Sequence, residues 1–297
     1  MFVAVGHNGL RIASEDGATW SPAQTGKDGE VYRAAAFGNG AFAAVGSYGG
    51  KNIMAATKDG ASWRTTDNDA KYSRYYRGLC FGGGRFLALG GEPGGVGVAS
   101  AFVSTSDDGA AWSGFRDIPG KFILRRAAFG GGLFVGVGDR GRRAYSRDGL
   151  RWDDVPDVKP IDTLIDVAFG AGVFVGVGLH GLRRSTRDGV TWSEPVRGRE
   201  GEHLNTVVWA GDRFVAVAPG ATFVSPDGLT WERRANADAP VTFCHGRGTY
   251  LGARWKGRIL RSTDALRWDE VYRAEHHVEA VAFGDIAPAL SGGGTTR

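Results

Sequence analysis

The sequence predicts an all-β chain built as a seven-bladed β-propeller, and three observations carry that prediction. A turn sequence of the form S/T-x-D-G-x-x-W recurs seven times, as SEDGATW, TKDGASW, SDDGAAW, SRDGLRW, TRDGVTW, SPDGLTW and, with Ala for Gly, STDALRW. Its tryptophans, from Trp20 to Trp268, are separated by 43, 49, 40, 40, 39 and 37 residues, the length of one four-stranded blade. Glycine accounts for 49 of 297 residues without a Gly-X-Y period, which excludes collagen and favours a fold dense in tight turns.

Each unit divides into four strands, A to D, in chain order. Strand A closes on an aromatic residue and glycine, as in AAFG at Phe37, LCFG at Phe81, AAFG at Phe129 and VAFG at Phe169 and Phe283. In the sixth and seventh units Trp209 precedes Ala210, and His245 precedes Gly246. Strand B is an aromatic-led apolar run, FVAVG from Phe2, FAAVG from Phe42, FLALG from Phe86, FVGVG from Phe134 and Phe174, FVAVA from Phe214 and YLGAR from Tyr250. Its middle residue is always Ala or Gly, which lets neighbouring sheets approach. Strand C runs into the S/T-x-D-G turn, and strand D is expected to carry the Trp.

The repeated aspartates, Asp16, Asp59, Asp108, Asp148, Asp188, Asp227 and Asp264, read as turn formers, since an Asp before Gly accepts backbone N–H bonds while glycine takes a positive φ. Ala265 in the seventh copy predicts a less regular, strained turn. Each Trp supplies a large apolar face between blades. Cys80 and Cys244 fall in a column otherwise filled by Ala or Val and read as small buried hydrophobes, too far apart for a disulfide.

The chain starts in a strand B and its last recognisable element, 279–283, is a strand A. The first blade is therefore expected to be a composite of both ends, which removes an exposed edge. Residues 1–285 read as one propeller domain and 286–297, ending SGGGTTR, as a flexible tail. A closed ring predicts a monomer.

The turn motif resembles the Asp-box, or BNR, repeat of sialidases, xyloglucan-active glycosidases, photosystem II assembly factors and many bacterial proteins. The resemblance covers essentially the whole chain, in a variant form in which glycine directly follows the aspartate. It implies a propeller and does not choose among the families' functions. The assembly factors imply that such a propeller can act without catalysis.

Net charge is +4, with 29 Arg against 7 Lys and no run of five basic residues, which speaks against a dedicated nucleic-acid binder. No apolar stretch has the length of a membrane-spanning helix, and MFVAVGHNG is not a secretory signal. The expected location is cytoplasmic, or secreted or periplasmic if a leader has been trimmed.

Function is sought where the repeat breaks, at the mouth formed by the D-to-A and B-to-C loops. Four residues before the strand A aromatic the blades carry Glu279, Arg33, Arg77, Arg125, Ile165, Asn205 and Val241, so three consecutive blades present arginine; Arg126 and Asp166 follow in the next column. Such an arc suits bidentate binding of a carboxylate, sulfate or phosphate. The alternative is structural, with Glu279 paired to Arg33 and Asp166 to Arg126. Sialidases clamp a sugar carboxylate with three arginines, but they have six blades, and their Phe/Tyr-Arg-Ile-Pro segment is absent here apart from a misplaced FRDIPG.

His7 and His180, in VGHNG and VGLHG, read as equivalent loop residues on the same face, joined there by His203, His276 and His277. They come from separated blades, so neither a metal nor a cofactor is expected. The loop DNDAKYSRYYRG brings Tyr72, Tyr75 and Tyr76 beside Arg77, a composition suited to a binding surface. The insertion GGEPGGVGVAS at 90–100 reads either as a flap or as a tolerated insertion.

The sequence thus favours a non-catalytic binding or assembly propeller for an anionic small molecule, glycan or acidic peptide, through Arg33, Arg77, Arg125, Arg126, Tyr72, Tyr75, Tyr76, His7 and His180. The alternative is a hydrolase or lyase on an anionic saccharide, with His276, His277, Glu279 and Tyr76 as acid–base groups.

Overall fold

A computed structural model describes residues 1–70, 75–91, 100–155 and 163–286. The chain forms seven antiparallel sheets in ring order, a seven-bladed propeller in which strand A lines the axis and D lies outermost. The first blade is composite: Phe2–Gly6 pairs with Arg11–Ser14 on one side and with Val278–Phe283 on the other, Phe2 opposite Phe283 and Val5 opposite Ala280. Beyond that register the Gly284 amide donates to the Met1 carbonyl at 3.0 Å, and Ile286 packs against a cluster containing Val3 and Phe42. The remainder of the expected tail, 287–297, lies outside the described residues.

Among the described residues five sheets have four strands and two, the first and fifth, have three. Their outer edges are replaced by isolated bridges, Arg11 with Gln24 in the first and Arg183 with Val196 and Thr186 with Trp192 in the fifth. The tryptophans do not lie within strand D as expected. They precede it: Trp63 stands before Arg64–Asp69 and Trp231 before Glu232–Ala235.

The reason is the turn. In the first copy Asp16 Oδ1 accepts the Ala18 and Thr19 amides at 2.8 and 2.7 Å, while Ser14 Oγ donates to that carboxylate and accepts the Gly17 amide. In six copies the indole Nε1 also donates to the residue three earlier, as Trp152 does to Gly149 O at 2.9 Å, which holds the ring over the turn and out of the strand. Trp20 instead lies against Tyr272, with ring centroids 5.9 Å apart. The seventh turn is as regular as the others, with Asp264 accepting from Leu266 and Arg267 at 2.8 and 2.9 Å, although Ala265 holds φ at +62°. Irregularity was the wrong expectation there; the cost is confined to a methyl-bearing residue in the left-handed region.

Packing lies between blades. Leu87, Leu89, Val103 and Ile118 of the third blade meet Leu124, Phe134 and Trp152 of the fourth in one cluster. Burying each such side chain contributes about 1.5–3 kcal/mol. The small column in strand B is needed there: a Cβ on Gly136 would stand 3.1 Å from both Leu124 and Trp152. At the end of strand A, each glycine lies directly under the next blade's aromatic ring, Gly38 under Phe81, Gly82 under Phe129 and Gly284 under Phe37. Cys80 and Cys244 are unpaired, and burial raises both thiols, that of Cys80 to about 12.

Candidate functional site

The channel mouth is shaped by a backbone irregularity that repeats. Strand A carries a β-bulge in the first five blades, and the residues left without a partner in strand B are Glu279, Arg33, Arg77, Arg125 and Ile165. A bulge adds one residue and reverses the facing of what precedes it. The preceding residues, Val278, Tyr32, Tyr76, Leu124 and Leu164, are consequently buried between blades, while the bulged residues turn toward the mouth.

The glycine that ends strand B makes room for this. A Cβ on Gly6, Gly46, Gly90, Gly138 or Gly178 would collide with the carbonyl oxygen of His277, Val31, Tyr75, Ile123 or Thr163, two residues before the bulge. The sixth and seventh blades carry Ala218 and Arg254 instead, and strand A runs without a bulge from Thr206 and Thr242.

In the first and fourth blades the residue after that glycine meets the bulged residue of the same blade, and those pairs are complementary. Glu279 Oε1 lies 2.7 Å from His7 Nε2. Arg125 Nε bonds Asp139 Oδ1. In the fifth blade the two positions hold Ile165 and Leu179. Blades two and three break the rule, with Arg33 matched to Ser47 and Arg77 to Gly91, neither of which can neutralise a guanidinium. Arg33 is exposed and makes no hydrogen bond or ion pair among the described residues. Arg77 is half-buried, and its Nε has no partner among those residues. Burial depresses the Arg77 pKa, as do the like charges of Arg125 and Arg33, against a smaller opposing effect of Asp139.

Arg33, Arg77 and Arg125 thus occupy equivalent bulge positions on consecutive blades, but they differ in their partners. Arg125 is spoken for, and two cations remain on adjacent blades. The ring-closing pairs Glu279–Arg33 and Asp166–Arg126 are not formed among the described residues. Arg126 instead bonds the carbonyls of Arg77 and Arg125, and Asp166 Oδ2 accepts the Val207 amide at 2.9 Å. Behind the mouth lies a channel of about 460 Å³, whose polar lining includes Arg33, Arg126, Asp166, Asn205 and Glu279.

Tyr76 is withdrawn from the site. Its side chain is fully buried among Phe102, Trp112 and Phe115, and burial raises its pKa, so it neither meets ligand nor donates a proton at the mouth. Tyr75 stands at the start of strand A with an accessible side chain. Tyr72 and residues 92–99 of the insertion lie outside the described residues.

The histidines form two groups. His7 meets the edge of His277 at 5.2 Å; His277 lies 4.5 Å from the ring of Trp255, which is 64% exposed; and His276 Nδ1 lies 3.5 Å from Asn8 Nδ2. Burial lowers the His277 pKa, opposed by Glu279 and reinforced by His7. His180 is offset from His7 by one position: it shares the left-handed conformation of Asn8 and Arg140, with φ of +54°, +52° and +52°. Its amide donates to His203 Nδ1 at 3.1 Å. Among the described residues no three His, Cys, Asp or Glu side chains are grouped to hold a metal.

Sequence reasoning missed Asp139 as the partner of Arg125 and Trp255 as the aromatic beside His277. The loss of glycine at Ala218 and Arg254 was the available signal for the bulge pattern.

No protein-family model matches the chain, and no curated protein matches it. Solved structures with a similar fold include one described as YCF48 bound to D1 peptide, at 18% identity and TM-score 0.57 over 80% of this chain and 81% of that one. The computationally designed Ika8 protein matches at 13% identity and TM-score 0.60, over 95% and 90% of the two chains. The WD40 propeller domain of Doa1 matches at 10% identity and TM-score 0.63, over 94% and 90%. At these identities the likeness is one of fold.

Proposed function

We propose that the protein is a monomeric, non-catalytic recognition propeller that binds an anionic ligand or an acidic partner segment at the channel mouth, and that its seven turns are variant Asp-boxes. The observation that carries this reading is the broken complementarity of blades two and three. Wherever else a charged residue occupies the bulge, its own blade supplies a hydrogen-bonding partner, His7 for Glu279 and Asp139 for Arg125. Arg33 and Arg77 are supplied with Ser47 and Gly91. Neighbouring guanidiniums without acidic partners repel, and an anion held by both removes that repulsion while forming charge-assisted bonds. The fold similarity to YCF48, solved with a D1 peptide, supports a peptide as one form such an anion can take.

The test is a thermal-shift and calorimetric screen of uronates, sulfated glycans, phosphorylated metabolites and acidic peptides against the wild type and an Arg33→Ala, Arg77→Ala variant. A ligand that stabilises the wild type alone, by mass action, supports the reading. Equal responses of both proteins would sink it.

A second reading, a hydrolase or lyase on an anionic saccharide, draws on the hydrogen-bonded Glu279–His7 pair beside His277. Against it, no hydrogen bond among the described residues joins that pair to an arginine. Turnover of any ligand found in the screen, lost in Glu279→Gln, would favour it.

A further inference from the structure

Below the mouth, Arg126 and Asp166 sit in equivalent positions on adjacent inner strands, Leu124–Gly130 and Leu164–Gly170, and both line the channel. Opposite charges so placed would ordinarily pair. They do not, because each is drawn the other way around the ring. Arg126 Nη1 reaches back to the carbonyls of Arg77 and Arg125, and Asp166 Oδ2 reaches forward to the Val207 amide. Each side chain stitches its blade to the neighbour on its outer side and leaves a gap between the two charges.

Neither group is bonded to an opposite charge among the described residues. Arg126 has spent Nη1 and retains Nε and Nη2, which form no hydrogen bond among the described residues. The Asp166 carboxylate is met by two backbone amides, those of Val207 and Val167, and by no side chain among those residues, so no cation completes it. Both groups are only partly exposed to the channel: burial depresses the Arg126 pKa and raises that of Asp166, and in each case attraction to the other charge opposes the shift without cancelling it. Desolvating two charges without joining them is unfavourable unless something else completes them.

We propose that the channel is a site for a small zwitterion, a molecule of amino-acid type whose carboxylate meets Arg126 Nε and Nη2 and whose ammonium meets Asp166 Oδ1. A simple anion leaves Asp166 unmatched and faces Glu279 at the rim. A simple cation leaves Arg126 unmatched and faces Arg33. Only a molecule carrying both charges satisfies both ends, and the cavity of about 460 Å³ is within the range of small-molecule sites. Asn205, on the same wall, provides an amide for a further polar group. This site does not rest on the anion reading, since neither Arg33 nor Arg77 supplies a side-chain contact to the zwitterion, although Arg33 lines the same channel.

The experiment is calorimetric titration of the full chain with glycine, β-alanine and γ-aminobutyrate, each beside its singly charged analogues, the alkanoate and alkylamine of the same length. One zwitterion is expected to bind about tenfold tighter than both its analogues, the advantage expected of completing a second buried charge. Asp166→Asn, which preserves shape and an acceptor for the Val207 amide, should erase the advantage over the carboxylate. The Arg33→Ala, Arg77→Ala variant should retain it, which separates failure here from failure at the mouth. A carboxylate that binds as tightly as its zwitterion overturns the proposal, as does the absence of binding by every zwitterion. Should Asp166→Asn not fold, the wild-type comparison decides alone.

Discussion

Glu279 and His7 are joined by a 2.7 Å hydrogen bond across the seam where the two ends of the described chain meet in one sheet. The bond is half-exposed, with its partners 30% and 38% accessible. Its contribution to closure is therefore small, within about 1 kcal/mol. Phe2, buried and 5.0 Å from the Phe283 ring, makes the same closure through apolar contact. Glu279→Gln is expected to leave the urea midpoint nearly unchanged, whereas Phe2→Ala should lower stability by about 3–5 kcal/mol. A comparable loss from both would mean that the seam is held electrostatically.

The turn glycines are expected to differ from Ala265 in tolerance. Gly109 has φ of +75°, and a Cβ there would stand 2.7 Å from the Cβ of Ala43 in the preceding blade. Gly109→Ala combines left-handed strain of about 1 kcal/mol with overpacking of about 1–3 kcal/mol. Ala265→Gly relieves the strain and loses a buried methyl, two effects of about 1 kcal/mol each that oppose. Chemical denaturation of both variants should show a clear loss in the first and a change near zero in the second.

A third expectation links a backbone position to ligand binding. Gly90→Ala places a Cβ against the Tyr75 carbonyl and cannot be accommodated while the bulge at Arg77 persists. The variant should be destabilised by about 1–3 kcal/mol and should lose response to whatever anion the mouth binds, although no charge is altered. Ala218→Gly, in a blade without a bulge, should leave that response intact. Undiminished anion binding by a folded Gly90→Ala protein would show that the bulge does not aim Arg77.

The spacing of seven tryptophans and the order of strand columns were enough to read the blade number and the composite first blade, because both depend on repetition along the chain. The mouth was harder to read, because a bulge is a property of hydrogen-bond register between strands. Tyr76 illustrates the difficulty. Counted from the aromatic it neighbours Arg77 and looks accessible, yet the bulge turns it to the face that Leu124 and Leu164 occupy, between blades. Aligned on that column, with Tyr32 beside it, the sequence already marks the position as apolar. Arg125 was misjudged for a different reason: its partner Asp139 is 14 residues away across a hairpin, a contact that only the register reveals.

Acid should unfold the protein through its turns. The Asp59 carboxyl is lowered to about 2, first by the Ser62 amide and then by that of Ala61 against some desolvation, and the other six turn aspartates are lowered as well. A carboxyl lowered on folding lends stability that is complete above its unfolded value, about 4, and drains away as pH falls toward the folded one. His277, also lowered, acts in the same direction but earlier, as pH drops through the usual histidine range. Asp166 is raised by burial and works the opposite way, since the folded state takes up its proton first and gains as pH falls. Seven turns outweigh one channel carboxyl, so the melting temperature should decline modestly below neutrality and steeply below about pH 4. Asp59→Asn should make the acid limb shallower while lowering stability at neutral pH, because the amide accepts the Ser62 N–H without carrying charge. Asp166→Asn should do the reverse, raising the curve at neutral pH and leaving the steep limb in place. A parallel fall in all three proteins would locate the acid-sensitive groups outside the turns.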